Sequence, residues 1–574
     1  MERLGNGFVP STSPSTSSGG TSGCRVGLRR PAWVLALCLL AGLLGGALVA
    51  FATAPIALAL ALGSVGGLAL LRSPMLGLLS VIGVVILLPF AAVPLGIGFN
   101  PTFLNLALLA TITVWALRVA LGQQRRLIFP AIAPAILAYM LMAVFAFVLG
   151  LGHASLTPAI ARHFAELLLA ILFPLVLVNL LQTEEQLTLA TKAVILAGAA
   201  AAFIGVFLYV LPDNLALRLL SPLRYLEYNV GLRYIRDDPS LPERAIGTSV
   251  DPNAFGGLLV LVTALTVAQL FSEQPLFPKT LIAPMGVIMG VCLTLTFSRS
   301  AMAGLVVALS IIAVLRYRRL LLWMALAGAL FLILPQTQGY VTHFIAGVRG
   351  EDLATQMRFG EYSDALRLVA RHPWFGVGFA GVPEIDIYLG VSMLYLLLAE
   401  NMGLVGLSVF LLMMALLFLH IWREWQAMEN VRLRPILLGL GAGLAGAMVS
   451  GIFDHYFVNI NFPHAVTLFW LFVGLALSTT HAASNEGTTE PPQSAASLHL
   501  RNSRAPLLIL AALLPILLLG VSLAGGTSIA RADNDQVSSA ALQTAEYPVS
   551  NLQSPTSNLQ PPISNLQSPT SNLQ

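Results

Sequence analysis

The stretch GIFDHYFVNINFPH, Gly451 to His464, is a short connector between two strongly apolar runs, yet it carries Asp454, His455, Asn459, Asn461 and His464. A neutral imidazole, with an ordinary pKa near 6.5, takes a proton from a hydroxyl, and a nearby carboxylate orients the ring. Asp454 and His455 are therefore a candidate acid–base pair. The competing reading is that both hydrogen-bond locally and cap helix ends, because adjacent residues on a helix do not share a face. His372 is a further candidate, but its setting, HPWFGVG, reads as a turn. A second set is cationic. Arg299 lies in TFSRSAMAG, a very short connector between two apolar runs, and a charge at that depth costs roughly 3 kcal/mol unless it meets a cavity or partner. At the interface its stem snorkels at little cost. Arg358, Arg367 and Arg371 lie in MRFGEYSDALRLVAR; as a helix, this puts Arg358 with Glu361 or Tyr362 on one face and pairs Arg367 with Arg371 at i and i+4.

These groups must be held by membrane helices. The chain has 574 residues, 57% hydrophobic and 10% charged, with a mean hydropathy of +0.83, where soluble domains carry about a quarter charged residues. Continuous apolar runs of roughly 20 residues, the length needed to span a ~30 Å hydrocarbon core, recur along it. The fold class expected is an all-α polytopic bundle of about 12–15 transmembrane helices. The net charge of +4 is spread over loops and marks no nucleic-acid surface. Cys24, Cys38 and Cys292 are too scattered for a disulfide framework or metal site. No His/Cys/Asp cluster has metal-ligand spacing, so neither metal nor cofactor is expected.

Basic residues beside the runs, among them Arg29, Arg72, Arg125, Arg316, Arg319, Arg423 and Arg434, fall on one side, which the positive-inside rule makes cytoplasmic. The resulting organisation is a disordered cytoplasmic segment (1–30), amino-terminal spans (31–211), an outer loop (212–252), spans (253–335) and a large outer loop with an amphipathic helix (336–391). Carboxy-terminal spans (392–480), a cytoplasmic linker (481–504), a last span (505–524) and a tail (525–574) follow. In that tail SNLQ recurs at Ser550, Ser557, Ser564 and Ser571, broken by Pro, which reads as low-complexity disorder. The opening connector falls on the outer side with both large loops.

Five segments resemble the O-antigen ligase and polymerase family of integral membrane glycosyltransferases: RAIGTSVDPNAFGGLL from Arg244, LTFSRSAMAGLVV from Leu295, MRFGEYSDALRLVARHPWFGVGFAG from Met357, YLLLAENMGLVGL from Tyr395 and DHYFVNINFPHAVTLFWLFVGLAL from Asp454. They stand in the family's order and together span about half the chain. The resemblance implies a GT-C-like bundle in the cell membrane. It also implies transfer of a glycan from a polyprenyl-diphosphate-linked donor to a glycan or lipid acceptor hydroxyl on the outer face, with membrane lipids as the other partners.

Within those motifs, SVDPNAFG reads as a helix start, with Asp251 or Ser249 as cap and Pro252 in the first turn. Its free N–H groups and positive dipole end suit a pyrophosphate, with Asn253 in the first turn and Arg244 just above; a plain capped helix is the alternative. The resemblance assigns Arg244, Asn253, Arg299 and Arg358 to the pyrophosphate, since guanidinium forks match phosphate oxygens. The family's usual His-Asn pair is replaced here by Ser392 and Met393. His455 then stands as the relocated base, helped by Asp454 or Glu400. Two other readings remain: a transporter of the inorganic-carbon type, which would show paired intramembrane acids or broken helices, and an inactive relative that binds the glycan lipid.

Overall fold

The computed structural model describes residues 72–93, 101–124, 126–153, 155–334, 353–379 and 391–486, with isolated positions between 338 and 349. The expected spans at 32–52, 54–71 and 505–524, the terminal segments and the SNLQ tail lie outside the described residues.

The described chain is almost wholly helical. In order it forms α1 (Pro74–Leu87), α2 (Phe103–Ala120), α3 (Ala133–Gly150), α4 (Pro158–Leu180), α5 (Glu184–Val210), α6 (Asp213–Leu220), α7 (Pro252–Leu270) and α8 (Lys279–Leu295). Then come α9 (Arg299–Leu315), α10 (Arg319–Ile333), α11 (Leu353–Arg371), α12 (Leu394–Ala427), α13 (Leu433–Ser450) and α14 (Pro463–Glu486). A two-residue β-pair, Arg233–Tyr234 with Glu243–Arg244, closes the segment between α6 and α7. Among the described residues eight helices are long and apolar enough to cross a membrane, and α1, α8, α9 and α10 are shorter apolar helices. This is the expected polytopic all-α architecture.

Local chemistry sets the helix starts. The side chains of Thr102, Thr157 and Thr183 accept backbone N–H bonds at the starts of α2, α4 and α5, and Gln186 completes a capping box with Thr183. Helix α7 is the hub: nearly all of its residues are buried, among α5, α8, α9 and α13. Helices α9 and α13 approach closely at small residues: a Cβ on Gly304 would strike the Ser450 hydroxyl and the Gly446 carbonyl. Apolar tails give no net drive for helices to associate in lipid, so such close backbone contact is how they bind one another.

Two spans depart from the apolar runs that suggest them: the run at 76–97 is helical only to Leu87, and the run at 402–421 is part of a longer, broken helix. The apolar run at 402–421 is the middle of α12, which starts at Leu394 and is broken at Gly403 (φ 69°, ψ −177°). The break frees backbone groups that lipid cannot satisfy. The segment after α11 bonds them instead: Leu404 N donates to Pro373 O (2.7 Å), while Val377 N and Gly378 N donate to the carbonyls of Glu400 (2.8 Å) and Asn401 (2.9 Å). HPWFGVG is thus a turn, as its sequence suggests, and also a backbone clasp on the broken helix.

Candidate functional site

Two helices open side by side at one end of the bundle. Asp251 caps α7, its side chain accepting Ala254 N at 2.7 Å, and Ser298 caps α9. Each cap follows a residue in the left-handed region, Val250 (φ 60°) and Phe297 (φ 53°). A β-branched residue at positive φ costs of order 1–3 kcal/mol, a strain usually stored at functional positions.

Onto these starts the structure draws most of the sequence-selected residues. Arg244 is fixed by two bonds, Nε to Thr296 O (2.8 Å) and Nη2 to Asn253 Oδ1 (2.7 Å). Arg299 begins α9 and reaches Thr355 on α11 at 3.5 Å. Arg358, also on α11, sits 3.8 Å from Asp454 Oδ2, and that oxygen accepts the Ser300 hydroxyl at 3.3 Å. Asp454 Oδ1 accepts the backbone N–H of His455 (3.1 Å), with the His455 ring Nδ1 3.5 Å away. Arg244, Arg358 and the Asp454–His455 pair, far apart in sequence, therefore come together in one half-buried cluster, with Arg299 at its edge beside Ser300. It also contains the local bond expected if the pair serves only as a cap.

Burial sets the protonation of the groups outside the spanning helices. Desolvation pushes the carboxyls of Asp454 and Asp251 up, opposed for Asp454 mainly by Arg358. The same cause raises Glu361. It lowers His455 to about 4, so the ring is neutral at neutral pH. Arg244 falls only to about 10 and keeps its charge. An arginine that keeps its charge, beside carboxyls whose charge burial disfavours, gives the cluster an anion-seeking character.

Position 392 is informative. Ser392 N donates to Glu361 Oε2 (2.9 Å) and Ser392 O accepts the Tyr362 hydroxyl (3.2 Å), both from α11. Two residues on, Leu394 N donates to the carbonyls of Gly451 and Asp454, each at 2.9 Å. Position 392 thus lies beside the connector that carries Asp454 and His455.

The other selected residues lie apart. Glu400 is buried beside the Gly403 break, and no hydrogen bond or ion pair joins its carboxylate to Asp454 or His455 among the described residues. The His372 ring packs against His153 at 4.9 Å. Arg367 pairs with Asp364 at 3.0 Å on an exposed face, the ordinary role of a loop arginine. His464 is buried against Phe90. No group of three or more His, Cys, Asp or Glu could hold a metal ion among the described residues.

Sequence reading missed Ser300 and Thr355, which carry no pattern of their own. It also missed Glu166, an acid buried within α4 that accepts Asn105 Nδ2 (2.5 Å) and lies 3.5 Å from Arg162. A carboxylate inside an apolar run was the available signal.

Residues 284–411 match the protein family described as O-Antigen ligase. That match holds Arg299, Arg358, Glu361 and Ser392 and stops short of Asp454. An O-antigen ligase of Pseudomonas aeruginosa is 27% identical over 271 residues, covering 45% of this chain. The chain spans 62% of the length of that curated relative. Both findings support the O-antigen ligase family.

Proposed function

With that family as premise, we propose that this multi-pass membrane protein transfers a glycan from a polyprenyl-diphosphate-linked donor to an acceptor hydroxyl, at the outer face of the cell membrane. The observation that carries this reading is the buried Arg358–Asp454 contact flanked by Arg244 and Arg299 at the α7 and α9 starts. A diphosphate seated there meets three guanidinium groups and the positive dipole ends of two helices, which stabilise the charge that grows on the leaving group.

The acceptor oxygen attacks the anomeric carbon as the bond from that carbon to the diphosphate oxygen breaks, with inversion. The hydroxyl proton passes to the Asp454–His455 pair, and the polyprenyl diphosphate departs. We assign the proton to Asp454, because burial raises the proton affinity of its carboxyl and lowers that of the His455 ring. His455 then orients Asp454. The transporter reading gains little from the broken helix, whose freed groups are bonded by residues 373–378 rather than left facing a path.

The test is transfer from a synthetic polyprenyl-diphosphate donor by the purified protein in lipid. Arg358→Ala and Asp454→Asn are expected to lose at least 100-fold in rate, as removal of one preorganised charge partner does elsewhere. Full turnover in both variants, or none in the wild type across varied acceptors, would overturn the proposal.

A further inference from the structure

The end of the bundle opposite the candidate site holds a cavity of about 70 Å³, lined by Glu273, Arg316, Tyr317, Trp425, Glu429 and Arg434, among others. At ~10–15 Å³ per water-sized group this is room for roughly five such groups, the heavy-atom count of a phosphate. Its position follows from the helices. Helix α9 runs from Arg299 at the site to Leu315, one residue before Arg316, and α13 runs from Leu433 to Ser450 at the site. Each covers about 25 Å at 1.5 Å per residue, close to the hydrocarbon thickness.

The cavity is unfinished as a polar site. Trp425 is 8% exposed, and its indole Nε1–H has no acceptor among the described residues; Arg434 Nε–H, beside it, has none there either. The Arg434 guanidinium lies 4.9 Å over the Trp425 ring, which holds it in place. Two donors buried without acceptors each cost ~1–3 kcal/mol, so an oxygen-rich group belongs against them. Around them the charges balance in number: Arg316 is paired with Glu273 at 3.0 Å, and Glu429 lines the cavity together with Arg434. A site with two cations and two carboxylates suits a ligand bearing both signs better than a bare anion. The aromatic rings of Trp422, Trp425 and Tyr317 are of the kind that sits at headgroup depth.

We propose that this cavity binds the headgroup of a zwitterionic phospholipid of the phosphatidylethanolamine type, its phosphate accepting from Arg434 and Trp425 and its ammonium meeting Glu429. The lipid comes from the leaflet opposite the transfer site and braces the ends of α9, α12 and α13, whose other ends build that site.

Delipidated protein in detergent, given isotope-labelled phosphatidylethanolamine or phosphatidylglycerol, is read by native mass spectrometry for retained lipid. One retained phosphatidylethanolamine is expected, at least tenfold preferred over phosphatidylglycerol. Trp425→Phe keeps the ring and removes the donor, and is expected to cut retention at least threefold; Arg434→Gln at least tenfold. Glu429→Gln is expected to abolish the preference between the two lipids. Should Arg434→Gln unfold, Trp425→Phe and Glu429→Gln decide alone. Equal retention of both lipids by the wild type, displacement by soluble inorganic phosphate, or unchanged retention in the variants would overturn the proposal.

Discussion

Arg358 Nη2 lies 3.8 Å from Asp454 Oδ2, so a residue of the loop helix α11 neutralises a buried carboxylate on the connector between α13 and α14. Removing one partner of a buried pair strands the other charge, at a cost of ~3–5 kcal/mol. Arg358→Ala is therefore expected to lower thermal stability in detergent. The double variant Arg358→Ala/Asp454→Asn should regain part of that loss because it removes the stranded charge. Additive losses would show that the pair is not coupled.

His455 predicts a pH dependence whose sign is fixed. Its folded pKa is about 4, against an ordinary 6.5, so between those values the unfolded chain takes up a proton that the folded one refuses. Its stabilising contribution is complete above pH 6.5 and is lost as the pH falls towards 4. The loss reaches ~3 kcal/mol at 1.36 kcal/mol per unit. Unfolding of wild type and His455→Gln should thus differ increasingly below pH 6.5, with the wild type losing more. Parallel curves over that range would remove the basis for a neutral buried ring.

Ser392→His tests the relocation directly. It returns an imidazole to a backbone position bonded to Glu361 and next to the connector. If the connector supplies the base that position 392 lacks, Ser392→His in an Asp454→Asn background should recover at least tenfold of the lost transfer rate. Recovery absent in folded protein would mean that Asp454 does something other than take the proton.

Two glycines should respond in opposite ways to alanine. At Gly403, φ is 69° with extended ψ, and a Cβ would strike the backbone of Trp374. Gly403→Ala is expected to cost more than ~3 kcal/mol. Gly290 in α8 has open space where a Cβ would go, and Gly290→Ala should raise stability by ~1 kcal/mol through helix propensity. Melting temperatures of the two variants check both.

The sequence by itself determined the class and the boundaries of most helices. Apolar length fixes what can span lipid, and Thr102, Thr157, Asp251 and Ser298 mark starts through their cap chemistry. It also singled out Arg244, Arg299, Arg358 and Asp454, through the motifs that resemble the ligase family and through the polar character of the connector. Only the tertiary structure decided that these four share a cluster, since nothing local tells α11 to lie across the connector. It likewise decided that α12 breaks at Gly403: AENMG reads as the edge of a span until the turn at 373–378 is there to bond the freed backbone groups. Glu400 shows the same limit. Its apolar neighbours predict burial, but which polar group it faces depends on a helix packing that no short stretch encodes.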